Sequence, residues 1–201
     1  KDSPWLYSAT AAAYLADNVA LYGGYVRGLE ESEVAPVNAI NRGDAPPAIR
    51  TTQKDFGVRW GVSKGVTMVI GWFDVRKPYY NLDAASRFRR LGAIRNSGVE
   101  FSLSGQVAPG LTVVAGSIWL DSKLSGEEVD RGVIGKRPVG SFRLHNLANV
   151  NWKFPWHDPL TLTARFESTS NRVANATNSF VIPKRWVASL GARYKMKVAD
   201  K

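Results

Sequence analysis

Leu160-Thr161-Leu162-Thr163-Ala164-Arg165-Phe166-Glu167-Ser168-Thr169 carries two interleaved patterns. One parity reads Leu160, Leu162, Ala164 and Phe166, and the other reads Thr161, Thr163, Arg165, Glu167 and Thr169. Successive side chains of a β-strand point to opposite faces, so this stretch has one apolar face and one polar face. Residues 56–62 repeat the design, with Phe56, Val58, Trp60 and Val62 against Gly57, Arg59 and Gly61. A helix would place apolar residues three and four apart, and that period persists nowhere for more than about a turn.

Extended along the chain, the alternation predicts nine strands near residues 7–16, 19–29, 53–62, 66–77, 96–107, 111–124, 142–154, 160–170 and 185–197. The first is alanine-rich and open to a helical turn, but Tyr7, Tyr14 and the Asp17-Asn18 turn favour a strand. Short connections carry turn chemistry at Asp17-Asn18, Ser63-Lys64-Gly65, Ala108-Pro109-Gly110 and residues 155–159. Long ones, at 30–52, 78–95, 125–141 and 171–184, alternate with them. The expected topology is an all-β antiparallel up-and-down meander, with tight turns at one end and long loops at the other. Glycines inside strands, among them Gly57, Gly98, Gly105 and Gly116, imply curvature or the close approach of another body.

Composition narrows the setting. A length of 201 residues, 44% hydrophobic and 22% charged, suits a folded chain and argues against disorder. No segment approaches the ~18 apolar residues of a membrane helix, which leaves a membrane barrel open because barrel strands alternate. Cysteine is absent, so disulfides, thiolate metal sites and cysteine nucleophiles are excluded. The sequence starts at Lys1 without a signal-peptide pattern, which leads us to expect a piece of a longer protein. A net charge of +10 fits a solvated basic surface, an anionic small ligand, lipopolysaccharide phosphate or nucleic acid.

A soluble β-sandwich would alternate too. The sorting of the connections speaks against it, as does the gathering of Trp119, Trp152, Phe154, Trp156, Trp186, Tyr22 and Tyr25 near strand ends. Aromatic girdles at both membrane surfaces produce that distribution.

Several strings resemble the C-terminal barrel half of TonB-dependent siderophore receptors. They are 22–30 (YGGYVRGLE), 53–59 (QKDFGVR), 73–78 (FDVRKP) and, most fully, 96–105 (NSGVEFSLSG). Pro109-Gly110-Leu111, Gly116 and 120–124 (LDSKL) follow the last of these, then 135–140 (GKRPVG) and 190–194 (LGARY). The resemblance implies part of a 22-stranded transmembrane β-barrel with a plug inside it. It also implies residence in the outer membrane of a Gram-negative bacterium, contact with membrane lipid and lipopolysaccharide, and uptake of a ferric siderophore energised by TonB. By the same comparison residues 1–201 form a single partial barrel domain, without the N-terminal plug and the last two strands. Phe142 stands where such receptors often have proline.

The candidate ligand contacts are Arg87, Arg89, Arg90, Tyr79 and Tyr80 in the expected loop 78–95, with Arg42 and Arg50 in the preceding loop. Guanidinium groups offer forked donors and stacking planes to anionic, often aromatic, ferric complexes. On the polar parity, Arg59, Glu100, Ser102, Arg165, Glu167 and Arg193 are expected to face the lumen. Catalysis has no support. His145 and His157 are the only histidines and lack a metal-ligand spacing, and there is no phosphate loop or nucleophile elbow. We therefore expect no enzyme activity, no metal site, no cofactor beyond iron as cargo, and no nucleic-acid partner. A passive outer-membrane pore and a soluble basic all-β binding protein stay open as alternatives, and so does cobalamin, haem or sugar as cargo.

Overall fold

The computed structural model describes residues 4–154, 156 and 159–196. Pro155, His157 and Asp158 of the fourth short connection, and Lys197 at the expected end of the last strand, lie outside the described residues. The strands are β1 (Tyr7–Ala16), β2 (Val19–Glu30), β3 (Ile49–Ser63), β4 (Val66–Leu82), β5 (Phe88–Ala108), β6 (Leu111–Ser125), β7 (Leu144–Lys153), β8 (Leu160–Thr169), β9 (Arg172–Val173), β10 (Val181–Ile182) and β11 (Arg185–Tyr194). A one-turn helix, α1 (Glu127–Asp130), follows β6. Nine strands make one antiparallel sheet in the order β1-β2-β3-β4-β5-β6-β7-β8-β11, and β9 and β10 form a separate two-stranded ribbon. Each sheet strand pairs with its neighbours in sequence, as the meander requires.

The register decides what the two faces are. Gly23, Phe56, Trp72, Val99, Trp119 and Leu144 lie opposite one another in a single row across β2 to β7. Two rows further, Trp60, Met68, Leu103, Ala115, Ala148 and Phe166 repeat it across β3 to β8. These side chains are uncovered: Phe56 is 60% exposed and Trp119 57%. The buried apolar residues instead gather mostly around the long connections, as Leu91, Leu124, Val129 and Ile134 in one cluster and Ala35, Ala39 and Phe88 in another. Among the described residues no second sheet covers the apolar face, so the sandwich is excluded. A face of this size stays exposed only where its surroundings are themselves apolar.

The dimensions agree with a bilayer. Trp119 marks one edge of the apolar band on β6 and Leu111, paired with Trp152, marks the other. At ~3.3 Å per residue the interval spans roughly 26 Å of strand, or about 20 Å of depth at a tilt of ~40°. One polar ladder crosses the face. Ser117 Oγ donates to Asn146 Oδ1 at 2.7 Å, and Asn146 Nδ2 donates to Ser168 Oγ at 3.0 Å. Each partner satisfies the other, as polar groups in hydrocarbon must be.

The structure corrects the expected loops. Residues 78–95 are not a long loop: β4 runs to Leu82, β5 starts at Phe88, and only residues 83–87 connect them. Tyr79 and Tyr80 thus lie on β4 and Arg89 and Arg90 on β5, with Arg87 beside the turn. The strands continue because cross-strand pairing persists through Leu82↔Phe88, past a bulge at Tyr79/Tyr80. Arg50 likewise sits on β3, opposite Leu29, and not in a loop. β7 begins at Leu144, two residues later than expected. Ser170 Oγ there accepts from the N–H groups of Arg143 and Leu144, while Phe142 turns against His145 with 5.7 Å between ring centres.

Candidate functional site

The β4–β5 hairpin projects beyond the apolar band and is gripped from both faces. Its tip is an Asp83 turn, in which Asp83 Oδ1 accepts from the N–H of Ala85 at 3.0 Å and of Arg87 at 2.9 Å. Asp83 Oδ2 receives Arg89 Nε at 2.6 Å, and the same guanidinium reaches Glu128 of α1 at 2.9 Å. The Arg89 guanidinium, helped by the Arg87 amide, holds the Asp83 carboxyl below the usual carboxylate range. Arg89 is therefore a strut between the hairpin and the 126–143 connection.

On one side, Ala35 and Ala39 of the 31–48 connection pack against Phe88, with Tyr80 and Leu82 around them. Asn41 clamps the Phe88 backbone, donating through Nδ2 to its carbonyl at 2.9 Å and accepting its N–H at 2.8 Å. On the other side, Leu91 and Leu124 meet Val129 and Ile134, flanked by Tyr79, Ile94 and Ala176. The three outer connections form one assembly with the hairpin at its centre.

The residues expected to contact ligand separate into two kinds. Arg89 is engaged by two carboxylates, Tyr80 packs near Phe88 at 6.1 Å, and Tyr79 accepts from Asn81 Nδ2 at 2.5 Å. Among the described residues, Arg90 reaches only a backbone carbonyl, that of Gly92, at 3.2 Å. Among the described residues, Arg42, Arg87 and Arg90 have no carboxylate partner. Arg42 lies in the turn-rich segment of the 31–48 connection, and Arg50 belongs to the apolar-parity face of β3.

The register brings the six other candidates onto one face, opposite the apolar rows. Arg59 lies in the same row as Ser102 and, further across, Glu167, with Glu100 two residues from Ser102. Arg165 pairs with Glu167 at 3.1 Å, and Arg193 faces Thr161 on the same side. Sequence reading grouped Tyr22 with the interfacial aromatics, but the register puts it on the polar-parity face, in the row of Gly57, Gly71 and Glu100. A Cβ on Gly57 or Gly71 would fall 2.6 or 2.5 Å from the Tyr22 phenol oxygen. The body approaching these glycines is thus a side chain of the chain's own second strand. Sequence reading missed Glu128, because its partner Arg89 is 39 residues distant.

A family model described as "TonB dependent receptor-like, beta-barrel" matches residues 1–201. The chain belongs to the TonB-dependent receptor β-barrel family. This receptor barrel segment is 27% identical over 192 residues to the ferrichrome receptor FcuA of Yersinia enterocolitica, covering 92% of the chain and 25% of that relative. It is similar to the crystal structure of BauA, the ferric preacinetobactin receptor of Acinetobacter baumannii, at 25% identity and a TM-score of 0.76, over 96% of the chain and 30% of that structure. The ferripyoverdine receptor of the outer membrane of Pseudomonas aeruginosa shares the fold at 16% identity and a TM-score of 0.75, over 98% and 28%. The receptor segment spans about a quarter of the length of the curated relative it matches. Its membrane is the Gram-negative outer membrane, where this family resides. Members of the family are receptors and transporters.

Proposed function

We propose that the chain forms wall and extracellular loops of a TonB-dependent receptor that imports a ferric siderophore. The observation that carries this reading is the family match over all 201 residues, supported by relatives whose names specify ferrichrome and ferric preacinetobactin. Tight turns of such barrels face the periplasm, so the gripped hairpin lies outside, where ligand arrives. There Arg42, Arg87 and Arg90 present guanidinium groups to an anionic ferric complex, and Arg89 sets the hairpin's position.

In this reading Arg59, Glu100, Ser102, Arg165, Glu167 and Arg193 line the lumen. Residues 1–201 are one partial barrel domain, and the plug and the contact with TonB lie in parts of the receptor beyond them. Ligand is held by charge and stacking at the outer end, and passes inside the wall once TonB displaces the plug. Iron is cargo bound by the siderophore. Among the described residues, no group of three or more His, Cys, Asp or Glu side chains is placed to hold a metal ion.

Uptake of radiolabelled ferric siderophores by cells with this receptor as their sole importer tests the proposal. Uptake should saturate and disappear when TonB is deleted. Uptake that persists without TonB would support the passive pore instead.

A further inference from the structure

The lipid-facing side of the sheet is not uniform. In two successive rows, β3 to β5 carry Val58, Ile70 and Phe101, then Trp60, Met68 and Leu103. Where the same rows cross β6 to β8, they carry Ser117, Asn146 and Ser168, then Ala115, Ala148 and Phe166. Bulk thus gives way to small and polar side chains just inside Trp119 and Leu144, within the apolar band. Asn146 has paired strands on both sides of it, so its exposure is not that of a sheet edge.

Hydrogen bonding within the ladder leaves capacity over. An amide has two N–H groups and an oxygen that accepts twice, and Asn146 spends one N–H on Ser168 and one acceptor position on Ser117. Its second N–H and the Ser168 hydroxyl proton have no acceptor among the described residues. Acyl chains offer none, and a donor left unpaired in hydrocarbon is costly. Beside the ladder the face is hollowed. A depression of about 590 Å³ is lined by Leu144, Asn146, Phe166, Ser168 and Trp186.

Another copy of the same wall meets these requirements. Asparagine is its own complement, because the N–H and Oδ1 of one amide can meet the Oδ1 and N–H of a second. A two-fold axis along the membrane normal at this point sets each amide against its equivalent, as in an isologous interface. Small side chains let two walls approach closely in lipid, where packing and hydrogen bonds drive association. Two convex walls touch only along a narrow strip, so lipid still borders the face on either side.

We propose that two copies of the receptor associate in the outer membrane through β6, β7 and β8, with Asn146 paired to the partner's Asn146 across a two-fold axis. An apolar side chain of each wall enters the hollow of the other. The contact is independent of which cargo the receptor imports.

The test uses the full-length receptor, carrying no other cysteine, in native outer membranes treated with a membrane-permeant oxidant. Ala148→Cys puts a thiol two residues along β7 from Asn146, beside the axis. Ile70→Cys puts one in the row of Asn146 but three strands away. Receptor–receptor disulfides should form at position 148 and at least tenfold less at position 70. Adding Asn146→Leu to Ala148→Cys should lower the yield at least fivefold, with the melting temperature unchanged because leucine suits a lipid-facing position. Equal yields at 148 and 70 would mean random collision and overturn the assignment. So would a yield indifferent to Asn146→Leu, no product at 148, or a product joining position 148 to a different protein.

Discussion

Asn178 grips the Arg137 backbone through both ends of its amide. Its Oδ1 accepts the Arg137 N–H at 2.9 Å and its Nδ2 donates to the Arg137 carbonyl at 2.9 Å. The side chain thus imitates a neighbouring strand and joins the connection after β6 to the one after β8. Asn178 does this from φ 59°, a left-handed conformation that asparagine tolerates better than most residues.

Replacing Asn178 with alanine should loosen this junction, which backbone bonds from Gly135 N–H to the Ala176 carbonyl and from Gly140 N–H to the Val173 carbonyl also hold, with a local opening cost lowered by about 1–3 kcal/mol. Hydrogen–deuterium exchange should then rise together at residues 126–143 and 171–184 and stay unchanged in β7 and β8. Exchange that rises in one connection alone would show that those backbone bonds hold the junction without Asn178.

Tyr22 separates two glycines that look equivalent in the sequence. At Gly71 an added Cβ meets the Tyr22 phenol and the Glu100 carboxylate, both ends of movable side chains. At Gly57 it also meets the Ile70 carbonyl, which is backbone and cannot step aside. Gly71→Ala and Gly57→Ala should each destabilise the barrel by roughly 1–3 kcal/mol in urea unfolding of the full receptor. Adding Tyr22→Ala should restore much of the loss at position 71 and little at position 57.

The arginines at the outer end should divide by their engagement. Arg42→Ala or Arg87→Ala should weaken capture of the ferric ligand about tenfold while leaving hairpin protection intact, as expected for loss of a charge-assisted contact. Arg89→Ala strands Asp83 and the buried Glu128 without their cation, so it should loosen residues 83–92 before any ligand is present. Ligand titration combined with hydrogen exchange distinguishes the two patterns.

Acid should open the same tip. The Asp83 carboxyl is held below its ordinary value, so its contribution is fully present above the unfolded aspartate pKa of about 4 and is lost as pH falls through the lower folded value. Exchange at residues 83–90, corrected for intrinsic rates, should be flat above about pH 5 and accelerate only below about pH 4. Asp83→Asn should remove that acid step.

The nine strands were legible because parity is a local property, and a strand such as β8 declares both faces within ten residues. The shared face of Arg59, Glu100 and Arg165 followed from the same rule. Residues 78–95 misled because Pro78, Asn81 and Asp83 are turn formers and the segment is rich in arginine. What keeps them in strands is support from Ala35, Ala39, Val129 and Ile134, residues far away in sequence. The alignment of Arg27, Lys54, Arg76, Arg95 and Lys123 on one face was invisible for a related reason. These cations come from five strands, and only the register aligns them.

The account rests most heavily on which face of the sheet meets lipid, and single cysteines on β8, in a receptor carrying no other cysteine, make that directly measurable. Single cysteines placed from 161 to 167 in the full receptor, in native membranes, can be challenged with a membrane-impermeant thiol reagent and with lipid-borne quenchers. Positions 162, 164 and 166 should be quenched from lipid and resist the reagent, while 161, 163, 165 and 167 should show the reverse. An inverted alternation, or none, would contradict the wall's orientation and with it the transport reading.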